Sequence, residues 1–315
     1  MSPGARHAST RRPTPNLRGR PILLLSFAVL MSSTGPVAVQ ASQATGPVFS
    51  FWRLWFGVPF VAVIAWLARQ RRIRGLEPAA VQGWRSIRWS VWGGVAFAAH
   101  QLMFFTAIKM TSVIDVSLMG VLQPVTTAVG AAWIFGERPG LRFRMWTLLA
   151  IVGAVAVIGG GSAGPSGSPL GMTLAGLNVA FFTAFYLLAK RSQGSIDVAS
   201  FLLGAILVSA IAVSGFVIIT GEPVFAVDRN DLLFALFVAG GPGLIAHHLT
   251  AGAVRAVPAN LPPLLRLALP FLAGLIAWAV LGEAIHLIHI VGGSLTMLGV
   301  AGALLSVDRG WSRSP

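Results

Sequence analysis

Ten apolar runs, separated by short polar or glycine-rich intervals, organise the chain: residues 22–41, 48–67, 89–108, 113–135, 145–158, 170–188, 199–219, 232–249, 259–281 and 287–305. Crossing a bilayer takes about 20 predominantly apolar residues in a helix, so each run predicts one spanning helix. The fifth is short, and the glycines at 159–161 extend it. The interval 159–169, GGGSAGPSGSP, is uncharged and rich in glycine and serine, which predicts a flexible linker between two halves.

Those halves share a sequence. LMGVLQPVTTAVGAAWIFGE (118–137) recurs as LLRLALPFLAGLIAWAVLGE (264–283), and the same offset places Lys109 on Arg255, Pro124 on Pro270, Gly136-Glu137 on Gly282-Glu283 and Gly153 on Gly299. Matches among Ala, Leu and Gly are expected by chance in such a chain. A basic residue, a proline inside an apolar run and a Gly-Glu pair are not. Internal duplication in a hydrophobic chain marks a transporter built from two repeats. Five helices followed by the same five must enter the membrane in opposite senses, so the expected fold is all-α and membrane-embedded, with ten transmembrane helices as two inverted five-helix repeats. Residues 1–20 read as a disordered cytoplasmic tail, 21–158 as the first repeat, 159–169 as an external linker, 170–305 as the second repeat and 306–315 as a cytoplasmic tail.

Composition agrees. Of 315 residues, 55% are hydrophobic and 10% charged, the mean hydropathy is +0.78, and soluble domains carry about 25% charged residues. The absence of cysteine excludes disulfides, thiolate nucleophiles and Cys-ligated metals. The net charge of +14 would suit a nucleic-acid partner if it formed a patch, but it sorts by loop. Arg6, Arg11, Arg12, Arg18 and Arg20 lie in the N-terminal tail, and Arg69, Arg71, Arg72, Arg74, Arg85 and Arg88 around the second-to-third connection. Arg138, Arg142, Arg144, Lys190, Arg191, Arg255, Arg309 and Arg313 fall on the same side, against Lys109 and Arg229 on the other. This is the positive-inside signal; it predicts a multi-pass protein of the inner (cytoplasmic) membrane with both termini cytoplasmic, a lipid-bilayer partner and no nucleic acid. A cleaved signal peptide is disfavoured because the first run is long and Ala41-Ser42-Gln43-Ala44 is a poor cleavage site.

In each half the order is a basic residue, a short turn, an apolar helix with a central proline, Gly-Glu, and a glycine-bearing helix. Ala107-Ile108-Lys109, Gln123-Pro124 and Gly136-Glu137-Arg138 carry it in the first half, and Ala253-Val254-Arg255, Leu269-Pro270 and Gly282-Glu283 in the second. This pattern resembles the EamA-type permeases of the drug/metabolite transporter superfamily, and Arg53 is similar to an arginine often found early in their second helix. The resemblance implies a central cavity lined by helices one, three, four, six, eight and nine. It also implies ATP-independent movement of a small-molecule substrate, with export the expected direction, no cofactor and no enzymatic activity; self-association stays open. Classes outside the resemblance are an intramembrane hydrolase, which lacks a convincing serine or acid pair in the bilayer, and a membrane sensor or scaffold.

The candidate site residues follow from what is costly in lipid. A proline within a span removes one backbone donor and frees the carbonyl four residues earlier, so Pro124 frees Gly120 and Pro270 frees Arg266. Together with Gly241-Pro242 these positions read as hinges beside a midplane site or as simple packing kinks. His100, Gln101 and Gln123 of the first half, with His247 and His248 of the second, read as substrate or proton contacts facing one cavity, or as helix-to-helix hydrogen bonds. Arg266, two turns inside the ninth run, reads as a cavity guanidinium suited to a carboxylate or phosphate, as a buried pair with a carboxylate such as Asp115, or as a side chain snorkelling toward the cytoplasmic interface. Glu137 and Glu283 read as gate or helix-end residues, Asp115 as a helix-start residue or a proton site, and Arg53 as an anchor at the outer interface. No catalytic or metal-binding set emerges. Gly160-Gly161-Ser162-Ala163-Gly164 spells a hydrolase motif, but in a flexible linker with no strand-turn-helix context.

Overall fold

The structure, a computed structural model, describes residues 20–74, 84–135, 140–161, 168–192, 195–246, 248–250 and 265–310. Every regular element among them is helical. The first half contains α1 (Arg20–Ala41), α2 (Gly46–Ile73), α3 (Trp84–Met110), α4 (Val113–Gly120), α5 (Gln123–Phe135) and α6 (Leu141–Gly161). The second contains α7 (Pro169–Ser192), α8 (Val198–Ile219), α9 (Arg229–Gly240) continued by a π-helical turn (Gly241–Ile245), α10 (Leu269–Leu281) and α11 (Leu287–Gly310). Among the described residues, eight candidate spans are long and apolar enough to cross a membrane, and α10 is a shorter apolar helix. The chain is therefore a multi-pass membrane protein. Its outward face is correspondingly apolar: Trp133 is 88% exposed and Ile219 87%, which water would penalise and lipid tails accept.

The fourth and ninth runs are each interrupted by a two-residue turn. α4 stops at Gly120, Val121 and Leu122 form a turn, and α5 restarts with Pro124 as its second residue. In the second half Leu265 and Arg266 are helical, Leu267 and Ala268 form a turn, and α10 restarts with Pro270 as its second residue. The backbone bonds match as well: Leu122 N–H donates to the Met119 carbonyl at 3.1 Å, and Ala268 N–H donates to that of Leu265 at 3.1 Å. Proline explains both breaks, because it is tolerated in a helix's first turn, where its missing N–H would have had no partner anyway. Both interruptions fall at the prolines that the sequence marks as hinges or kinks.

The halves interlock. α3 packs on α7 and α8, while α9 with its π turn packs on α1 and α2. α5 lies against α7 as α10 lies against α1, α2·α8 and α6·α11 join equivalent elements, and α4 packs on α10. The α6·α11 crossing is the closest. A Cβ on Gly153 would strike the backbone of Thr296, and one on Gly299 would strike that of Ala150, so the paired positions run in opposite directions along the two helices. Small residues here let backbones approach where lipid supplies no hydrophobic drive for association.

Candidate functional site

Two polar regions stand out within the helices, one at an end of the bundle and one inside it. At the end, the connections at 42–45, 111–112, 220–228 and 282–286 meet. Gly282 adopts φ +71 as the C-terminal residue beyond α10, its N–H donating to Trp278 and that of Glu283 to Ala277. Only glycine adopts this conformation without strain, and the turn redirects the chain. Glu283 is thereby carried to the start of α4, where its carboxylate oxygens accept from Val113 N–H at 3.0 and 3.2 Å. That N–H is among the unpaired donors of a helix N-terminus, and a carboxylate suits both the donor and the positive end of the helix dipole. Burial pushes the Glu283 carboxyl up from its ordinary value; the Val113 bond opposes this and the nearby charge of Asp115 adds to it.

One turn into α4, Asp115 closes the cap. Ser112 Oγ accepts from Asp115 N–H at 3.1 Å and donates to Asp115 Oδ2 at 2.7 Å. Asp115 Oδ1 faces His289 Nε2 of α11 at 3.1 Å, both side chains buried. His286 N–H donates to His289 Nδ1 at 3.2 Å, so the proton of the neutral ring sits on Nε2, toward the carboxylate. Neither Asp115 Oδ1 nor His289 Nε2 makes a well-aligned hydrogen bond; the attraction between them is chiefly electrostatic. Asp115 is thus a helix-start residue, and its basic partner is His289, not Arg266.

A second set of bonds lies at the same end. Asp231, in the first turn of α9, accepts from Ser42 Oγ and from Gln43 N–H, each at 2.7 Å, while forming a capping box with Asp228. Lys109 Nζ donates to the carbonyls of Ser42 and Gln40, Thr45 Oγ1 to Glu222 at 2.7 Å, and Trp52 Nε1 to the Val224 carbonyl at 2.8 Å. All but the Lys109 bonds and the Asp228–Asp231 capping box join one half to the other.

The interior region lies between α2, α3, α7 and the π turn. His100 is buried, its Nδ1 bonded to the side-chain oxygen of Asn178 and its ring stacked on Phe182 with centroids 4.0 Å apart and planes 8° from parallel. Gln101 is buried with its Oε1 unpartnered. Arg53 turns inward, not outward to an interface: its guanidinium carbon sits 5.6 Å from the centre of the Phe97 ring, and its Nε is buried without a partner. Across from it, Gly241–Ile245 is wound as a π turn containing Pro242, whose ring packs against Gly35 of α1. Single π turns recur at functional sites because they widen a helix locally.

The remaining sequence candidates distribute around these regions. Gln123 and Pro124 are half-buried and Pro270 buried at their breaks. Gly120 is exposed, with nothing within 4 Å of a Cβ placed there, although residues 113–119 of the same helix are buried. Arg266, the equivalent position, is also exposed and precedes α10, so it is not a guanidinium held inside a continuous helix. His248 is exposed, its Nδ1 3.1 Å from the Leu244 carbonyl. Gly241 is buried. His247 and Glu137 lie outside the described residues. The structure brings His100 and Gln101 together with Arg53, and sets Glu283 apart at the bundle end.

Sequence reasoning missed Asn178, His289 and Asp231. Asp231 had a local signal in the spacing Asp228-x-x-Asp231, which favours a reciprocal helix start. Asn178 and His289 are lone polar residues in apolar runs, and nothing local names their partners.

Comparison with known proteins bears on these observations. The model of the EamA-like transporter family matches residues 20–159 and 169–305. No curated protein matches. A solved structure described only as "Crystal structure of protein" superposes with a TM-score of 0.62 at 21% identity, covering 92% of this chain and 98% of that one; it supports the fold alone.

Proposed function

The chain belongs to the EamA-like transporter family, a family of membrane transporters of the drug/metabolite transporter superfamily, and on that premise we propose that it is a secondary permease working by alternating access. Ten spans in two inverted repeats would surround a site for a small polar or amphipathic metabolite, with both termini and the basic loops cytoplasmic. The observation that carries this reading is the shared register of the halves. Both helix breaks fall at equivalent residues, and α6 and α11 cross antiparallel through equivalent glycines, as expected when one repeat rocks against the other.

In this reading the end bearing Glu283, Asp231 and Lys109 is the outer gate, held shut in the state described. Each charge-assisted bond there contributes about 1.5–3 kcal/mol, much of it regained from water on opening. A few such bonds suit a switch between states that differ by a few kcal/mol. The breaks at 121–122 and 267–268 and the π turn supply the hinges, and Gly120 and Arg266, both exposed, would lie on the path to the cytoplasm. Export then begins with substrate entering from the inside.

Solute counterflow in proteoliposomes, without ATP, against a metabolite panel tests the function. At least one metabolite should move faster than through protein-free vesicles; if folded protein moves none, the reading fails. Gating has its own test. Ser42→Cys with Asp231→Cys, joined by a short thiol cross-linker, should stop transport until released, whereas undiminished transport after cross-linking would remove the gate. Orientation is read by labelling intact cells: Ala284→Cys should react with an impermeant maleimide and Arg74→Cys should not.

A further inference from the structure

Among the described residues, Arg53 is a cation without a counter-ion in the interior of the bundle. It lies seven residues, or about 10 Å, from the start of α2, where Leu54 beside it is fully buried. Its tryptophan neighbours turn elsewhere: Trp52 bonds to Val224, and Trp55 Nε1 donates to Ser214 Oγ at 3.1 Å. Among the described residues no carboxylate lies within ion-pair distance of its guanidinium, and no protein acceptor bonds it. Asp115, Glu222, Asp228, Asp231 and Glu283 are all engaged in bonds of their own at the gate end. An uncompensated charge at such depth is costly, and proteins retain one where a partner arrives from outside.

The surroundings suit such a partner. A Cβ at Gly243 would meet the Val238 carbonyl oxygen at 2.9 Å and an Arg53 terminal nitrogen at 3.1 Å, so this glycine gives room both to the π turn's backbone and to the guanidinium. Phe97 lies beneath it, and behind Phe97 the rings of His100, Phe182 and Phe185 continue in contact. His100 is occupied by Asn178, which fixes it as part of this wall and leaves Arg53 as the free polar anchor.

We infer that Arg53 is the anchor for a substrate carboxylate, with the Phe97–His100–Phe182 surface receiving the apolar or aromatic body of the same molecule. The inference deepens the permease reading and rests on it for the word substrate. A guanidinium holds a carboxylate through two parallel hydrogen bonds, which a lysine in its place does not reproduce.

The test is ligand-induced thermal stabilisation of the purified full-length protein in detergent. Phenylacetate, indole-3-acetate and hexanoate are each compared with the matching amide, and inorganic phosphate is a separate arm. At least one carboxylate should raise the Tm saturably while its amide does not. Arg53→Gln should abolish the effect, and without ligand it should melt no lower than wild type, because it removes an unpaired charge. Arg53→Lys should weaken binding about tenfold or more, and Gly243→Ala, which crowds the guanidinium and the Val238 carbonyl beside it, should weaken it too. The inference is overturned if no carboxylate protects the wild type, if protection survives Arg53→Gln, or if phosphate alone protects. Should Arg53→Gln fail to fold, unchanged carboxylate binding in both Arg53→Lys and Gly243→Ala overturns it equally. Carboxylate binding that depends on Arg53 in a protein that transports nothing would instead sink the permease reading and leave the anchor standing.

Discussion

The carboxylate of Glu283 caps the helix that begins at Val113, 170 residues earlier in the chain, with one oxygen 3.0 Å from the backbone nitrogen. The Gly-Glu pair, which recurs in both halves of the sequence, thus has a physical role in its second copy. The glycine makes a left-handed turn after α10, and the glutamate uses that turn to fasten one half of the molecule to the other.

Glu283→Ala leaves the Val113 N–H without its acceptor and should cost about 1 kcal/mol, the usual value of a lost helix cap. Glu283→Gln keeps an acceptor and should cost less at neutral pH. The pH dependence separates charge from cap. Because burial raises the Glu283 carboxyl above its ordinary 4.5, the folded state holds this proton at pH values where the unfolded chain has released it. Stability therefore falls as pH rises from 4.5 through the folded pKa, and levels off above it. The Tm of wild type minus that of Glu283→Gln should decline over that window; a difference that rises with pH would contradict the assignment.

Gly282 sits at φ +71, with nothing within 4 Å of an added Cβ, so the cost of a side chain there is conformational. Gly282→Ala should lose about 1–2 kcal/mol, and Gly282→Asn, which tolerates the left-handed region better, should lose less. Thermal unfolding of the two variants checks the order. Equal effects would mean that the backbone strain is relieved elsewhere.

Asp115 and His289 are each other's electrostatic partner in a buried setting. Removing one leaves the other's buried polar atom without its neighbour, which costs about 1–3 kcal/mol. Asp115→Ala and His289→Ala should therefore each reduce folded yield sharply, and a double-mutant cycle should show the two losses to be strongly non-additive. Additive losses would show that the proximity carries no energy.

Gly153 and Gly299 hold equivalent places in the α6·α11 crossing, each facing the backbone of the opposite helix. Alanine at either position forces the helices apart, so Gly153→Ala and Gly299→Ala should destabilise the protein by similar amounts. Overpacking of a tight contact typically costs about 1–3 kcal/mol. Gly120→Ala and Gly215→Ala, where an added Cβ meets nothing within 4 Å, are the comparisons. A variant at Gly153 no worse than these would argue against the crossing.

Much of this molecule is local and was therefore legible in the sequence. Length and hydropathy define the spans, because a bilayer of given thickness demands a given number of apolar residues. The breaks at Pro124 and Pro270 follow from a missing N–H, which no neighbour can restore. The duplication was visible because rare residue types recur in register. What no local signal contained was the direction each polar side chain faces. A soluble helix shows its buried side by an apolar stripe, whereas a helix in lipid is apolar all round, since tails and core are equally oily. Arg53 therefore read as an interface anchor until α3 and the π turn placed Phe97 and Gly243 beside it, and Arg266 read as interior until the break set it at an exposed turn. His100 read either as a cavity contact or as a helix-to-helix hydrogen bond, and its partner Asn178 was not legible, because helix rotation is set by the close packing of α3 on α7. Tertiary structure alone decided these contacts: their members lie on different helices far apart in the sequence, and only the packing of those helices brings them together.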